Sequence, residues 1–576
     1  MSTVSNRSAI LALVLGSFTL SAQAITVQPE ALRKLQVDTG AAITVDQATG
    51  QATFMRVPPA APQLRAAIAN PDRAAKARAT AFLRTYGAAF GIDDLNTQLQ
   101  ALPASKDAQG AEHAIFNQVH EGLPVFGSQV KVHFDRNGRL YAANGRFITD
   151  IDVNTTPNLA AADAAGQAVR QVMRQQAANG NTNRKVAGKV GASGDENHED
   201  LKAVSTELMV FRAGQLQGVP GRDHLVYRVE VRNTDISIRE FVFIDAHKGD
   251  VVDQITGIHD ALDRRAYDAQ GQAHPGPNYP GSPFWVEGNP LPTGTTEADN
   301  MIYASGETYD LFINAFMRDS FDGLGGVMDA IFNRGDACPN ASWNGTYISF
   351  CPNVTSDDVT AHEWGHAYTE YTNNLIYQWQ SGALNESYSD IWGETVDLIN
   401  GRGTDSPGGL RSDGSCSIYG PGASGDNSYR WVMGEDATGF ATPIRDMWTP
   451  TCGGDPGKVS DAQYYCLTGD QGGVHYNSGV PNHAYALMVD GGNYNGFAVA
   501  GIGLTKAAHI HWGAQNMLTP SSNFIDHADA LDASCSALIG ADLADLGDGS
   551  VSGEVIDQGD CDQVAVALIT TCNLSQ

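Results

Sequence analysis

The stretch Val359-Thr360-Ala361-His362-Glu363-Trp364-Gly365-His366 decides how this chain is read. It carries the pattern His-Glu-x-x-His, preceded by Thr355, Ser356, Asp357 and Asp358, residue types that start helices. Positions i and i+4 of a helix share one face, so His362 and His366 point the same way with Glu363 beside them. Two imidazoles so placed suit a zinc ion, which favours nitrogen ligands and keeps an open position when it is catalytic. By itself the pattern is moderately specific, and the plain alternative is a solvated helix face with chance His and Glu residues. Gly365 costs about 1 kcal/mol in a helix interior relative to Ala, which points to close packing there.

A third ligand must come from elsewhere. Thr369 and Thr372 stand where a metzincin would continue with Gly and His, so that branch fails. Asn385-Glu386-Ser387-Tyr388-Ser389-Asp390 lies on a second amphipathic helical run, with enough chain after His366 for a turn between the two helices. Glu386 is the candidate third ligand. Asp390 sits one turn further on the same face, placed to accept a hydrogen bond from a ligand imidazole.

At this point the chain resembles the thermolysin-like neutral metallopeptidases. Besides the two helices, the likeness rests on Leu375-Ile376-Tyr377-Gln378 and on Asp470-Gln471-Gly472-Gly473-Val474-His475-Tyr476-Asn477-Ser478-Gly479. It rests further on Asn340-Ala341-Ser342-Trp343-Asn344-Gly345, Ile444-Arg445-Asp446-Met447 and the segment 501–524. The resemblance implies an α+β chain with a two-lobed catalytic half, β-rich then α-helical, and the zinc cleft between the lobes. It implies zinc on His362, His366 and Glu386, Glu363 as general base, and His475 and Tyr377 as groups that stabilise the oxyanion. Asp470 would orient His475, Asn340 and Ala341 would pair with the substrate backbone, and Arg445 would contact a substrate carbonyl. Val359 and Ile444 would wall an apolar pocket, implying cleavage before bulky hydrophobic residues.

Calcium is also implied. Asp358, Glu394, Asp397 and Glu435 fall where the family gathers carboxylates for this oxygen-loving ion. Arg430 and Val432 stand where relatives often carry acidic residues, so a two-calcium cluster is disfavoured. The alternative is a solvated acidic face.

Plain readings stand beside the other roles. Tyr377 could be core packing, His475 a structural histidine, and Arg445 a partner of a surface carboxylate. A zinc aminopeptidase would bring a GxMEN-type segment, which is missing. A non-catalytic binding protein on this scaffold would be favoured by loss of Glu363 or a ligand, and all are present.

The rest of the chain fits a secreted precursor. Arg7, the apolar stretch Ala9–Leu20 and Ala22-Gln23-Ala24 read as a leader peptide over 1–24. No later apolar run is long enough to span a bilayer. From Asp263 onward there are 39 acidic and 10 basic residues, which accounts for the whole net charge of −29. Such a surface repels phosphate backbones and argues against nucleic acid. All eight cysteines lie from Cys338 onward, and an even number in a secreted chain implies disulfides. Cys338 and Cys351, flanking a candidate hairpin turn at 343–346, are the expected pair.

The pro-region resembles the fungalysin/thermolysin-type propeptide followed by a PepSY-like domain, with Gly122-Leu123-Pro124-Val125-Phe126-Gly127 carrying much of the likeness. The expected divisions are 1–24 leader, 25–105 helical N-terminal propeptide, 106–260 PepSY-like domain, 261–375 β-rich lobe, 376–545 helical lobe and 546–576 tail. Strands are expected around Val130, Val132 and Phe134, at 225–231, at 241–245 and at 250–255, with turns at Asn137-Gly138 and Asn144-Gly145. Helices are expected at 159–176 and 307–318, a linker at 177–200, and the pro/mature junction at 250–265. The expected partners are protein or peptide substrates and the chain's own propeptide, with a monomer as the default.

Overall fold

Val130, Val132 and Phe134 alternate along the strand Leu123–Phe134 and are almost wholly buried, as period-two patterning predicts. The intervening Lys131 and His133 are buried too: the Lys131 ammonium docks on the catalytic half, and His133 lies between His113 and Asn144. The computed structural model describes residues 29–46, 49–58, 68, 74–107, 110–186, 201–216, 219, 221–233, 238–256, 264–273, 282–403, 409–411, 416 and 428–572, with the side chains of 29, 176–186, 256 and 572 excepted. The expected leader at 1–24, residues 187–200 of the expected linker and residues 257–263 of the expected junction lie outside the described residues.

The pro-region is built on one long sheet. Its strands run in the order Ala42–Val45, Ala52–Arg56, Leu140–Gly145, Leu123–Phe134, Lys202–Arg212, Asp223–Arg232, Arg239–Asp245 and Val251–Thr256. Its two larger apolar cores pack on it beside smaller clusters. One runs from Leu35 to Phe147, the other from Ala164 to Ala246. The first core crosses the division expected at 105. The segment 25–105 has more helix than strand among its described residues, and it also contributes strands to the sheet, Ala42–Val45 and Ala52–Arg56 among them. Asn144-Gly145 is not a turn: both residues sit in a strand, where Gly145 pairs with Val130 and its missing Cβ admits the Gln129 carbonyl. The helix expected at 159–176 runs Ala161–Val186, into the expected linker.

The catalytic half begins with a five-stranded sheet ordered Trp285–Val286, Arg265–Asp268, Asp329–Phe332, Ile348–Phe350, Ala341–Trp343. Ala341–Trp343 is therefore an edge strand, with a free side for an extended peptide. The helix expected at 307–318 spans Thr296–Phe316. Next come the helices Asp357–Glu370 and Trp379–Asn400, then Gly479–Asp490, Leu504–Met517 and Phe524–Leu538. One core of aromatic and aliphatic side chains joins both lobes through Trp343, Trp364, Trp392 and Trp512. The described residues of the expected tail at 546–576 pack against the helical lobe. The helix Gln558–Cys572 buries Val564, Ala567 and Leu568 in that core, and Cys561 is bonded to Cys535. Disulfides also join Cys338 to Cys351 and Cys416 to Cys452, while Cys466 is free and exposed.

The two halves meet in a polar seam at the end of the helix Leu504–Met517. Lys131 Nζ donates to the carbonyls of Leu518 (2.5 Å) and Asn516 (3.2 Å), taking over carbonyls that a helix C-terminus leaves unpaired. Asn144 donates to the Met517 carbonyl, Arg146 pairs with Asp526 and Arg56 with Asp532. No described helix is long and apolar enough to cross a membrane.

Candidate active site

The helix Asp357–Glu370 starts from Ser356 as its N-cap residue and crosses the helix Trp379–Asn400 closely. Gly365 sets the crossing: a Cβ there would lie 2.7 Å from Ser389 Cα. That contact places His362 and His366 opposite Glu386. The two Nε2 atoms are 3.1 Å apart, and the Glu386 oxygens lie 3.7 Å from His362 Nε2 and 3.4 Å from His366 Nε2. One ligand atom from each residue falls within 4.8 Å of the others. All three residues are buried, and Glu386 Oε2 has no hydrogen-bond partner. Two imidazole nitrogens and a buried carboxylate with an oxygen to spare fit zinc in type and number, with room for a fourth position.

Each ligand is held from behind. His362 Nδ1 lies 2.8 Å from Asp390, and His366 Nδ1 lies 2.7 Å from Asn385 Oδ1. Asp390 is a hub: Arg445 binds it through two nitrogens at 2.6 and 2.7 Å, and Asn482 donates to it at 2.7 Å. Burial alone would raise the Asp390 carboxyl, but Arg445 and His362 outweigh it and hold it below the usual carboxylate range. Burial likewise opposes charge on Glu386, and His475, His366, His362 and Arg445 bring it down to about 2. Both groups are therefore ionised at neutral pH. Asn385 and Asn482 were not among the sequence candidates. Asn385 adjoins Glu386 in the motif, whereas nothing local marks Asn482.

His475 reaches the site through unusual backbone. Asp470, Gln471, Gly472 and Gly473 all have positive φ, and Cβ atoms at the two glycines would strike the Trp379 and Tyr465 rings. His475 Nδ1 is 2.5 Å from Asp470, and its Nε2 is 3.1 Å from the Tyr377 hydroxyl and 3.4 Å from Glu386. Burial opposes the imidazolium, but Glu386 and Asp470 prevail and push the pKa up to about 9. Half of the His475 side chain is open to the cleft, so water trims this effect. The Tyr377 hydroxyl also donates to Glu386, and burial together with that carboxylate keeps the phenol protonated. Glu363 is buried beside His362. Burial raises its carboxyl and Glu386 adds to this, while His362 and Arg334 oppose it.

These residues line one cleft of about 340 Å³ with Asn340, Ala341, Ser342, Trp343, Val359, Met433, Phe440, Ile444 and Arg445. Val359, Met433, Phe440 and Ile444 give it an apolar wall. Ser342, Met433 and Phe440 are additions to the sequence candidates. The carboxylates Asp358, Glu394 and Asp397 are buried and Glu435 is partly so. Burial and the adjacent Asp357 push the Asp358 carboxyl up to about 7. Arg430 turns from this cluster to pair with Asp490 at 2.6 Å.

Comparison with known proteins gives the family of the chain. The thermolysin metallopeptidase catalytic domain matches residues 234–370, its alpha-helical domain 373–547, and the fungalysin/thermolysin propeptide motif 97–147. A bacillolysin of Brevibacillus brevis is 31% identical over 479 residues, covering 75% of this chain and 79% of that protein. The chain belongs to the thermolysin metallopeptidase family. As a member it is a zinc metalloendopeptidase with a propeptide motif. A thermolysin of Alicyclobacillus acidocaldarius is 28% identical over 481 residues, 74% of this chain and 80% of that one. Among solved structures, the precursor of protealysin from Serratia proteamaculans matches at 24% identity with a TM-score of 0.40, covering 54% of this chain and 88% of that chain.

Proposed function

We propose that the chain is a secreted precursor whose catalytic half cuts proteins before bulky hydrophobic residues. The observation that carries this reading is the meeting, in one cleft, of the His362–His366–Glu386 donor set, Glu363, the His475–Tyr377 pair and an apolar wall. When bound by His362, His366 and Glu386, zinc supplies Lewis-acid polarisation of the peptide carbonyl and a nucleophile active at neutral pH.

Glu363, desolvated and lifted above its usual range, accepts the proton of the attacking water and delivers it to the leaving amine. His475 and Tyr377, both protonated, donate to the oxygen that gains charge as the carbonyl becomes tetrahedral. Asp470 holds His475 by its Nδ1. The edge strand at Asn340 and Ala341 takes the substrate backbone as an added strand. Val359, Met433 and Ile444 receive the hydrophobic side chain. Arg445, with two nitrogens on Asp390, fixes that carboxylate for His362 and shapes the pocket floor.

In this reading residues 25–260 are a propeptide that assists folding and covers the enzyme until it is cut away, and the mature enzyme works as a monomer. Calcium is read at Asp358, Glu394, Asp397 and Glu435, whose buried or half-buried carboxylates are the oxygen donors this ion takes.

The test is casein hydrolysis by the processed protein beside a Glu363→Gln variant with matched zinc content. Activity in the first and a loss of several orders of magnitude in the second are expected. Equal activity would remove Glu363 from the mechanism. Two zinc-loaded but inactive proteins would favour a binding role.

A further inference from the structure

Behind the edge strand lies a cation that the reaction scheme does not use. Arg334 is 1% exposed, and its backbone N–H is bonded to the Phe350 carbonyl. Its Nη1 donates to the hydroxyls of Ser342 (2.7 Å) and Ser349 (2.9 Å). Those serines face each other across the pair Ala341–Trp343 and Ile348–Phe350, with their Oγ atoms 3.3 Å apart. The disulfide Cys338–Cys351 ties the loop after Arg334 to the same pair of strands. A guanidinium cannot lose its proton in a protein, so both hydroxyls must present lone pairs to it.

Counting protons then orients the serines. A hydroxyl has one proton and two lone pairs. Ser349 is fully buried, and the acceptor at hand for its proton is Ser342 Oγ. Ser342 thereby has both lone pairs filled, one by Arg334 and one by Ser349. Its own proton is left over, and Ser342 lines the cleft. To a bound peptide Ser342 is a hydrogen-bond donor backed by a buried positive charge.

We propose that Ser342, oriented by Arg334 and Ser349, forms a substrate subsite that selects a side chain bearing a carboxylate or carboxamide acceptor and discriminates against Lys and Arg. The substrate residue concerned is not the one in the apolar pocket, which Val359, Met433 and Ile444 line. The subsite rests on the endopeptidase reading above and adds a second specificity element to it. Arg334 is a positioning residue, since it acts on substrate through Ser342.

The test uses the processed enzyme and peptides with one fixed Leu for the apolar pocket. Asp, Asn, Leu or Lys is placed in turn at each of the flanking positions. At one position Asp and Asn should raise kcat/KM about tenfold over Leu, the value of one hydrogen bond to a polar or charged group, with Lys below Leu. Ser342→Ala should bring the Asp and Asn peptides down to the value that the same variant shows for the Leu peptide, an Asp-to-Leu ratio of about one. Arg334→Met, checked for folding by circular dichroism, should lower the Asp-to-Leu ratio through KM. Leu equal to or better than Asp at every position, or an Asp-to-Leu ratio unchanged by Ser342→Ala, would overturn the subsite. Peptide affinities measured on the zinc-loaded Glu363→Gln variant read the same ratios without cleavage. Failure of all peptides to be cut thus counts against the endopeptidase reading, while the affinities still decide the subsite.

Discussion

His511 should make the helical lobe sensitive to acid, and the size of the effect follows from its surroundings. The ring is fully buried, 4.6 Å from the Tyr485 ring and 5.9 Å from that of His527. Nδ1 is bonded to the Ala507 carbonyl and Nε2 has no partner. Burial pulls its pKa down to about 4. The unfolded chain has the ordinary value of about 6.5, so below that pH the unfolded state binds more protons and stability falls with acid. The loss begins as pH drops through about 6.5 and is complete only below about 4. At pH 5 it amounts to about 2 kcal/mol, against almost nothing at pH 7.5. Several carboxyls raised to about 7, among them Asp358, Asp455 and Asp529, push the total in the other direction. The clean readout is therefore a difference. In a Glu363→Gln background that prevents self-digestion, urea unfolding of His511→Phe and its parent is followed by tryptophan fluorescence from pH 7.5 to 5. The substitution carries its own constant cost, but the gap should move by about 2 kcal/mol in favour of Phe on acidification. A gap independent of pH would refute the claim that His511 is buried neutral.

Three further outcomes are expected. Asp390→Ala leaves Arg445 buried without its carboxylate and should cost about 3–5 kcal/mol in chemical denaturation, with zinc affinity down about 10- to 100-fold by competition with a chromogenic chelator; unchanged zinc affinity would remove Asp390 from ligand orientation. Gly365→Ala places a methyl against Ser389 Cα and should cost about 1–3 kcal/mol, with reduced casein hydrolysis, whereas a neutral result would mean the helices can part without disturbing the ligands. Removing calcium with a chelator selective over zinc should lower the melting temperature of the mature enzyme, and Asp358→Asn should shrink that response; a melting curve indifferent to the chelator would argue for a solvated acidic face.

What could be read in advance was local. The His362/His366 pair follows from helical periodicity, and Asp390 falls on the face of Glu386 for the same reason. The pairing of Cys338 with Cys351 follows from a short hairpin. Where reading failed, a neighbour distant in sequence had intervened. Asn144-Gly145 has turn chemistry, yet the ladder to Val130 and the docking of Asn144 on the Met517 carbonyl hold it in a strand. Nothing local marks the burial of Lys131, because the helix end that takes up its ammonium is some 380 residues further along the chain. The C-terminal segment carried no motif, but the Cys535–Cys561 bond and its apolar face make it part of the core.

The sequence by itself determined the family and named the candidate metal donors, because the motifs that carry them are short: His362 and His366 share one face of one helix, and Glu386 stands in a second motif on the next. Only the tertiary structure decided how the donors are held and what surrounds them. Arg445 and Asn482 meet on Asp390, Arg334 sets the proton of Ser342, and Gly365 lets the two ligand helices close. These contacts join segments far apart in the chain, and a residue's spacing along a sequence carries no record of which distant group packs against it once the core has formed.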